Sequence, residues 1–134
     1  MPGETDLRVL IRTMRPEPVD GHWFFATVEP GTPVDAAATV RESEGLSVVV
    51  SSAEAERLGL NQSHPYRWIT LRVHSSLEAV GLTAVVSAAL TSQGISCNVI
   101  AGAFHDHVLV PAARLDDALS TLTHLSETGG VAEV

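Results

Sequence analysis

The chain has 134 residues and a mass of 14.2 kDa, with 45% apolar and 18% charged residues, which predicts one compact globular body rather than a disordered chain. Eight arginines against sixteen Asp and Glu residues give a net charge of −8. Because so acidic a surface repels phosphate backbones and anionic lipids, we expect no nucleic-acid or membrane partner. The single cysteine, Cys97, cannot form an intramolecular disulfide, and the N-terminus lacks the pattern of a secretory leader. These features predict a cytoplasmic protein.

The first half of the chain is predicted to contain a helix, two strands and a second helix. Apolar spacing and turn residues place these elements at Leu7 to Met14, His22 to Val28, Leu46 to Val50 and Ser51 to Leu60. The breaker Pro16-Glu17-Pro18 is predicted to end the first helix. The segment Glu29 to Ala38 holds two prolines and a glycine, which predicts a flexible loop.

The second half is predicted to begin with a strand and to alternate helices and strands. The elements are expected at Tyr66 to His74 (strand), Ser76 to Gln93 (helix), Ser96 to Phe104 and His107 to Val110 (strands) and Ala112 to Leu125 (helix). In the first strand, Ile69 and Leu71 are predicted to face the core, with Trp68 and Thr70 on the other face. Gly94 is predicted to close the long helix. The last residues, Val131 to Val134, are expected to form at most a short edge strand.

A weak internal repeat predicts the fold class. Val48 to Ala53 and Val108 to Ala113 lie sixty residues apart, and each pattern is a strand that runs straight into a helix. The pattern is typical of α+β proteins made of two ferredoxin-like units, with antiparallel sheets and helices on one face. The expected modules are residues 1–64 and 65–134.

The start of the long predicted helix is one candidate for a binding site. Ser75-Ser76-Leu77-Glu78 has the spacing of a capping box, in which the serine and the glutamate each accept a backbone N–H. Free amides at such a helix start could bind an anion, such as the carboxylate of an amino acid. Plain capping is the alternative, and Ser51 with Glu54 repeats the same pattern at another helix.

The segment Phe104 to Val108 carries the densest polar cluster, with His105, Asp106 and His107 in sequence. Two histidines and a carboxylate could ligate a metal, but zinc needs three or four ligands that converge on one point. We therefore predict a polar turn with one buried, hydrogen-bonded histidine and no catalytic metal centre. The sequence has no nucleophile elbow and no phosphate-binding loop, so neither an enzyme nor a bound cofactor is predicted.

Several stretches resemble one family, the ACT domains. Trp68 to Thr83 looks like the opening strand and helix of an ACT domain, and Gln93 to Gly102 resembles the Gly-Ile-x-x-x-x-Ile strand that follows it. Glu44 to Val50 and His105 to Pro111 are similar to a group of small bacterial tandem-ACT proteins. That group resembles the regulatory regions of aspartate kinases and the arginine-sensing regulators of animal growth signalling.

The resemblance implies a site for an amino acid at the interface between two modules. Carried onto this chain, the ligand-binding residues are His74, Ser75, Ser76, Leu77, Glu78, Val80, Gly81, Leu82, Thr83, Asn98 and Ile100. The ammonium group of the ligand needs an anion, which Glu78, or Asp106 from the facing hairpin, is predicted to supply. Gly81 matches the family's small residue at the helix start, so Gly81→Leu is expected to fill the pocket and leave the helix intact. The first module starts with a helix and lacks a comparable Ser-x-x-x-x-x-Gly stretch, so the resemblance implies a scaffold there.

These features lead to one principal functional hypothesis and two alternatives. The principal hypothesis is a non-catalytic regulatory sensor that binds an amino acid and forms a homodimer, as ACT modules commonly do. The alternatives are an oligomerisation or adaptor module without a ligand, and a small metal-dependent enzyme that uses His105, Asp106 and His107. The uncharged helical face of Thr83, Ser87 and Thr91 supports the homodimer.

Overall fold

The protein is described by a computed structural model that covers residues 3–130. Its elements, in chain order, are α1 (Leu7–Arg12), β1 (Pro16–Val28), β2 (Ala38–Glu42), β3 (Gly45–Ser51), α2 (Ser52–Arg57), β4 (Tyr66–Leu71), α3 (Leu82–Ser92), β5 (Asn98–Ala101), β6 (Asp106–Pro111) and α4 (Leu115–Thr128). A short 3-10 turn, Ala112–Arg114, leads into α4. The six strands form one antiparallel sheet in the order β2-β3-β1-β4-β6-β5. The predicted α+β class with an antiparallel sheet is confirmed.

The long strand β1 joins the two halves of the sheet. Its first residues pair with β4, from Pro16 opposite Leu71 to Val19 opposite Trp68. Its last residues pair with β3, and a register shift lies between Val19 and Trp23. The sheet is therefore continuous across the expected module boundary.

All four helices lie on one face of the sheet, as predicted. Helices α1, α3 and α4 cover the half that contains β4, β6 and β5, over a core that includes Leu10, Met14, Ile69, Leu71, Val86, Leu90, Val108 and Leu122. Helix α2 and the loop after β1 cover Phe24, Val48 and Val50. In the part of the chain that is described, no helix covers the opposite face, where Val49, Trp68 and Leu109 are buried; we call this the open sheet face.

The long helix begins later than predicted. Helix α3 starts at Leu82, and residues 72–81 form turns and irregular backbone. The reason is a long-range contact, because Glu4 pairs with Ser75, its N–H donating to His74 and its carbonyl accepting from Ser76. The predicted capping box at Ser75 to Glu78 is therefore wrong, since Ser76 Oγ accepts the Glu78 N–H inside a turn. The N-cap is Gly81, which has no side chain to cap the helix.

Other boundaries also differ from prediction. The edge strand β2 was not predicted, and β1 begins at Pro16, inside the expected breaker. Strand β4 ends at Leu71 rather than His74, and α4 continues to Thr128 before Gly129 closes it with a φ of 67°. Gly94 adopts the left-handed conformation predicted for it, with a φ of 70°. The expectation for Val131 to Val134 lies outside the described residues.

The loop predicted to be flexible is tied to α2 by one acidic residue. Ser51 caps α2 as predicted, accepting the Glu54 N–H at 3.3 Å. The Glu54 carboxylate accepts two hydrogen bonds from Arg57, at 2.6 and 2.7 Å, and one from the Asp35 N–H at 2.6 Å. These bonds, chiefly those from Arg57, lower the pKa of Glu54 to about 2. The carboxylate therefore stays ionised at neutral pH and holds the loop against the helix.

Candidate functional site

A small cavity lies where the loop before α3 meets the hairpin of β5 and β6. We call it the helix-start cavity; its volume is about 170 Å³, and its lining residues are Ser75, Ser76, Leu77, Ala79, Gly81, Leu82, Thr83, Ala101 and Asp106. All of these except Ala79 and Ala101 were expected as ligand-binding residues. The structure thus gathers most of the expected set around one space.

The remaining expected residues lie elsewhere. The imidazole of His74 packs against Phe104, with ring centroids 4.9 Å apart, and the side chain of Val80 is 83% exposed. Glu78 is exposed outside the cavity lining. Asn98 and Ile100 lie on the open sheet face, where Ile100 packs near Trp68. Because side chains alternate along a strand, Ala101 and not Ile100 reaches the helix-start cavity.

The helix-start cavity combines hydrogen-bond donors with one carboxylate. Helix α3 has no side-chain cap, and its first backbone bond runs from the Val85 N–H to the Gly81 carbonyl, so the amides before Val85 are free of intrahelical bonds. Ser75, which is only 6% exposed, donates through Oγ to Asp106 at 3.4 Å. The positive end of the helix therefore lies beside a carboxylate that is held in place by a buried hydroxyl.

The two histidines of the hairpin have different partners. His105 Nδ1 lies 3.1 Å from the Val73 carbonyl and can donate to it. On the open sheet face, His107 Nδ1 lies 3.2 Å from Trp68 Nε1 and 3.0 Å from Thr70 Oγ1. The Trp68 indole N–H can only donate, and it lies 3.2 Å from both His107 Nδ1 and Thr70 Oγ1, so His107 Nδ1 is placed to accept from Trp68 in the neutral form of the ring. Within residues 3–130, no three His, Cys, Asp or Glu side chains are placed to share a metal ion.

We expect His107 to make folding stability depend on pH. Burial is the largest of the causes that lower the pKa of His107 below its ordinary value of 6.5. The charges of His105 and Arg72 also lower this pKa, whereas the charge of Asp106 raises it. The unfolded chain then binds more protons than the folded one just below pH 6.5, so stability falls as pH drops through that range. Urea unfolding at several pH values should show that the free energy of unfolding depends less on pH for His107→Gln than for the wild type. The exposed control His22→Gln should keep the wild-type slope; equal slopes for wild type and His107→Gln would contradict the prediction.

A larger groove lies between α3 and α4 but offers weaker chemistry. Its volume is about 780 Å³, and its walls are mostly small or apolar residues, among them Val85, Ala88, Ala89, Ser120 and Leu125. None of the residues between 3 and 130 that line it is Asp or Glu. The helix-start cavity is smaller, but it alone of the two brings free helix amides and an acidic group together.

An antiparallel sheet with helices on one face is the architecture of ACT domains, which are regulatory modules of the kind that binds small-molecule ligands. Residues 2–67 and residues 63–124 each match the ACT domain family. The chain therefore belongs to the ACT-domain family and carries two ACT domains in tandem. No helix among residues 3–130 is long and apolar enough to cross a bilayer.

Solved structures of several bacterial proteins are similar to this chain. A Vibrio cholerae protein of unknown function, described as a possible transport protein, is 44% identical over 87% of this chain and 92% of its own, with a TM-score of 0.78. A protein from Agrobacterium tumefaciens is 17% identical over 83% of this chain and 87% of its own, with a TM-score of 0.66. The aspartate kinase of Clostridium acetobutylicum is 10% identical over 71% of this chain and 26% of its own, with a TM-score of 0.54. The last two similarities concern the fold alone. No curated protein sequence gave a match.

Proposed function

We propose that the protein is a non-catalytic cytoplasmic regulator that binds a free amino acid in the helix-start cavity. The observation that supports this most is the pairing of free helix amides with Asp106. The amides suit the carboxylate of an amino acid, and Asp106 suits its ammonium group. The helix dipole adds about 0.3–1 kcal/mol for a carboxylate at this position.

The size of the cavity limits the ligand. A volume of about 170 Å³ equals that of about six waters at roughly 30 Å³ each. This space accommodates the ammonium–carboxylate part of an amino acid with a short side chain. Affinities in the micromolar-to-millimolar range, about −4 to −8 kcal/mol, are expected for so small a ligand.

Thermal denaturation with each of the twenty amino acids tests the proposal. A ligand that binds only the folded state raises the melting temperature, and we expect a shift of a few degrees at saturating ligand. Asp106→Asn should weaken binding at least about tenfold, because the ammonium group loses its ionic acceptor. Asp116→Asn, which removes the same charge from an exposed position on α4, is the matched control and should bind as the wild type does.

The same denaturation experiment, repeated with divalent metal ions, separates the alternatives. A shift with a divalent metal but with no amino acid would favour the metal-dependent enzyme. No shift with any compound would favour an adaptor without a ligand. Equal binding by Asp106→Asn and the wild type would place an amino-acid site elsewhere in the molecule.

We also propose that the protein forms a homodimer through α3 and the neighbouring sheet edge. Strand β5 ends the sheet on this side, and the unpaired backbone groups of such an edge can pair with the same edge of a second copy. Thr83 and Thr91 are exposed on an uncharged face of α3. Light scattering at tens of micromolar protein should give twice the chain mass of 14.2 kDa. Thr91→Glu should shift the mass towards the monomer, and Thr123→Glu on α4 should not; a wild-type monomer contradicts the proposal.

A further inference from the structure

The sheet order relates the two halves of the chain by an approximate twofold symmetry. Counted inward from the edge of the sheet, the strands of the first half follow the order β2, β3, β1. Those of the second half, counted inward from the other edge, follow the equivalent order β5, β6, β4. Strands β1, β2 and β3 therefore correspond to β4, β5 and β6, and α2 corresponds to α4. The loop after β1 occupies the place that the pre-helix loop and α3 take in the second half.

A second cavity occupies the corresponding place in the first half. We call it the hairpin cavity; its volume is about 530 Å³, and its lining residues are Pro30, Gly31, Thr39, Arg41, Glu42, Gly45 and Leu46. These residues come from the loop after β1, from the outer strand β2 and from the start of β3. The helix-start cavity uses the same three places in the second half: the loop after β4, the end of β5 and the start of β6.

The hairpin cavity offers donors in place of the acidic group. Thr39 and Arg41 lie two residues apart on β2, on the face that also carries Leu46 and Val48. The ion pairs among the described residues involve Arg57, Arg72 and Arg114, so the Arg41 guanidinium is available for a ligand.

The acidic neighbour of Arg41 is engaged elsewhere. The Glu42 carboxylate accepts a hydrogen bond from Ser47 Oγ. Ser47 lies on the open sheet face, because Leu46 and Val48 on either side of it face the helices. The cavity therefore presents the cation of Arg41 and the hydroxyl of Thr39, with Pro30 and Leu46 as apolar wall, and the one carboxylate among its lining residues, Glu42, is already bonded to Ser47.

We propose that the hairpin cavity is a second binding site, which takes a small carboxylate with a short apolar body and does not require an ammonium group. Arg41 binds the carboxylate, since a guanidinium matches its two oxygens, and Thr39 supplies a further donor. Leu46 and Pro30 contact the apolar body. This site goes beyond the proposed amino-acid site and does not depend on it, because the two cavities share no residue.

Three related probes test the proposal on the full chain: isocaproate, L-leucine, which adds an amino group, and isopentylamine, which lacks the carboxylate. Amide shifts of Gly31, Gly45 and Leu46 in nitrogen-15 correlation spectra report binding. We expect isocaproate at about 10 mM to shift these amide signals, because a site with a Kd in the millimolar range is largely occupied at that concentration. Isopentylamine should leave them unchanged, and leucine should bind no more tightly than isocaproate.

Variants assign the binding to the cavity. Arg41→Gln should weaken the binding of isocaproate at least about tenfold. Arg8→Gln, which removes the same charge from the exposed surface of α1, should leave this binding unchanged. Asp106→Asn should leave these shifts intact, so failure of the amino-acid site can be told apart from failure of this one. No shift with isocaproate, stronger binding of leucine, or equal binding by Arg41→Gln and wild type would each overturn the proposal.

Discussion

A fragment of residues 65–134 is expected to remain unfolded when it is produced without residues 1–64. Leu10, Ile11 and Met14 lie on or just after α1, yet they are buried in the core beneath α3 and α4. Burial of three such side chains contributes about 5–9 kcal/mol. That is comparable with the whole stability of a typical domain, about 5–15 kcal/mol.

The backbone gives the same expectation. The first part of β1 pairs with β4, so its removal would leave β4 as an unpaired sheet edge beside an open core. The Met14 and Arg15 carbonyls also accept hydrogen bonds from the N–H groups of Val73 and Arg72. The proposed modules 1–64 and 65–134 are therefore expected to fold together as one unit, although each matches the family by itself.

Circular dichroism and nitrogen-15 correlation spectra can test this expectation. The fragment 65–134 alone should give little regular structure and poorly dispersed amides. Mixing it with the fragment 1–64 should restore the spectrum of the intact chain, because the missing helix and strand are then supplied in trans. A dispersed spectrum and cooperative melting of 65–134 by itself would show that the second module folds independently.

Strong local patterns predicted most elements of the fold correctly. The buried strand β3 and the alternation in β4 are apolar at the positions that face the core. Strand β2 is not predicted because it is a short edge strand with mostly exposed residues, and its apolar–polar alternation, Ala38-Thr39-Val40-Arg41, spans only four residues. Packing does not select apolar residues at such an edge, so a single sequence gives little signal there.

The candidate site could be predicted only in part, because two of its features depend on distant contacts. The serines before α3 have a helix-start spacing, but Ser75 pairs with Glu4, far away in sequence, and Ser76 begins a turn, so the helix does not start there. The second feature is strand register, in which a shift of one residue reverses every side chain. Ile100 was expected at the cavity, whereas Ala101 occupies that place, opposite Asp106 in the hairpin.

Gly81→Leu is expected to destabilise the protein by about 2–6 kcal/mol, contrary to the sequence-based expectation that the helix would be unaffected. Gly81 has a φ of 107°, a conformation that costs a residue with a side chain roughly 1–3 kcal/mol. A Cβ at this position would also lie 3.0 Å from Leu7 Cδ2, and overpacking of this kind costs about 1–3 kcal/mol.

Gly94, at the other end of α3, is a matched control for the backbone contribution. Its φ is 70°, and a Cβ there would meet no atom within 4 Å. Gly94→Leu should therefore lower the free energy of unfolding only by the cost of the left-handed backbone, about 1–2 kcal/mol. Urea unfolding gives the stability of both glycine variants. The same measurement on Leu7→Ala, alone and combined with Gly81→Leu, completes a double-mutant cycle for the contact between positions 7 and 81.

A favourable coupling is expected, because the smaller Leu7→Ala side chain relieves part of the clash at position 81. Gly81→Leu with the stability of the wild type, or a cycle without coupling, would contradict this account of the helix start. The result also bears on the ligand experiment. If Gly81→Leu unfolds the loop before α3, its failure to bind an amino acid says nothing about the cavity, whereas Asp106→Asn removes a charge without adding volume.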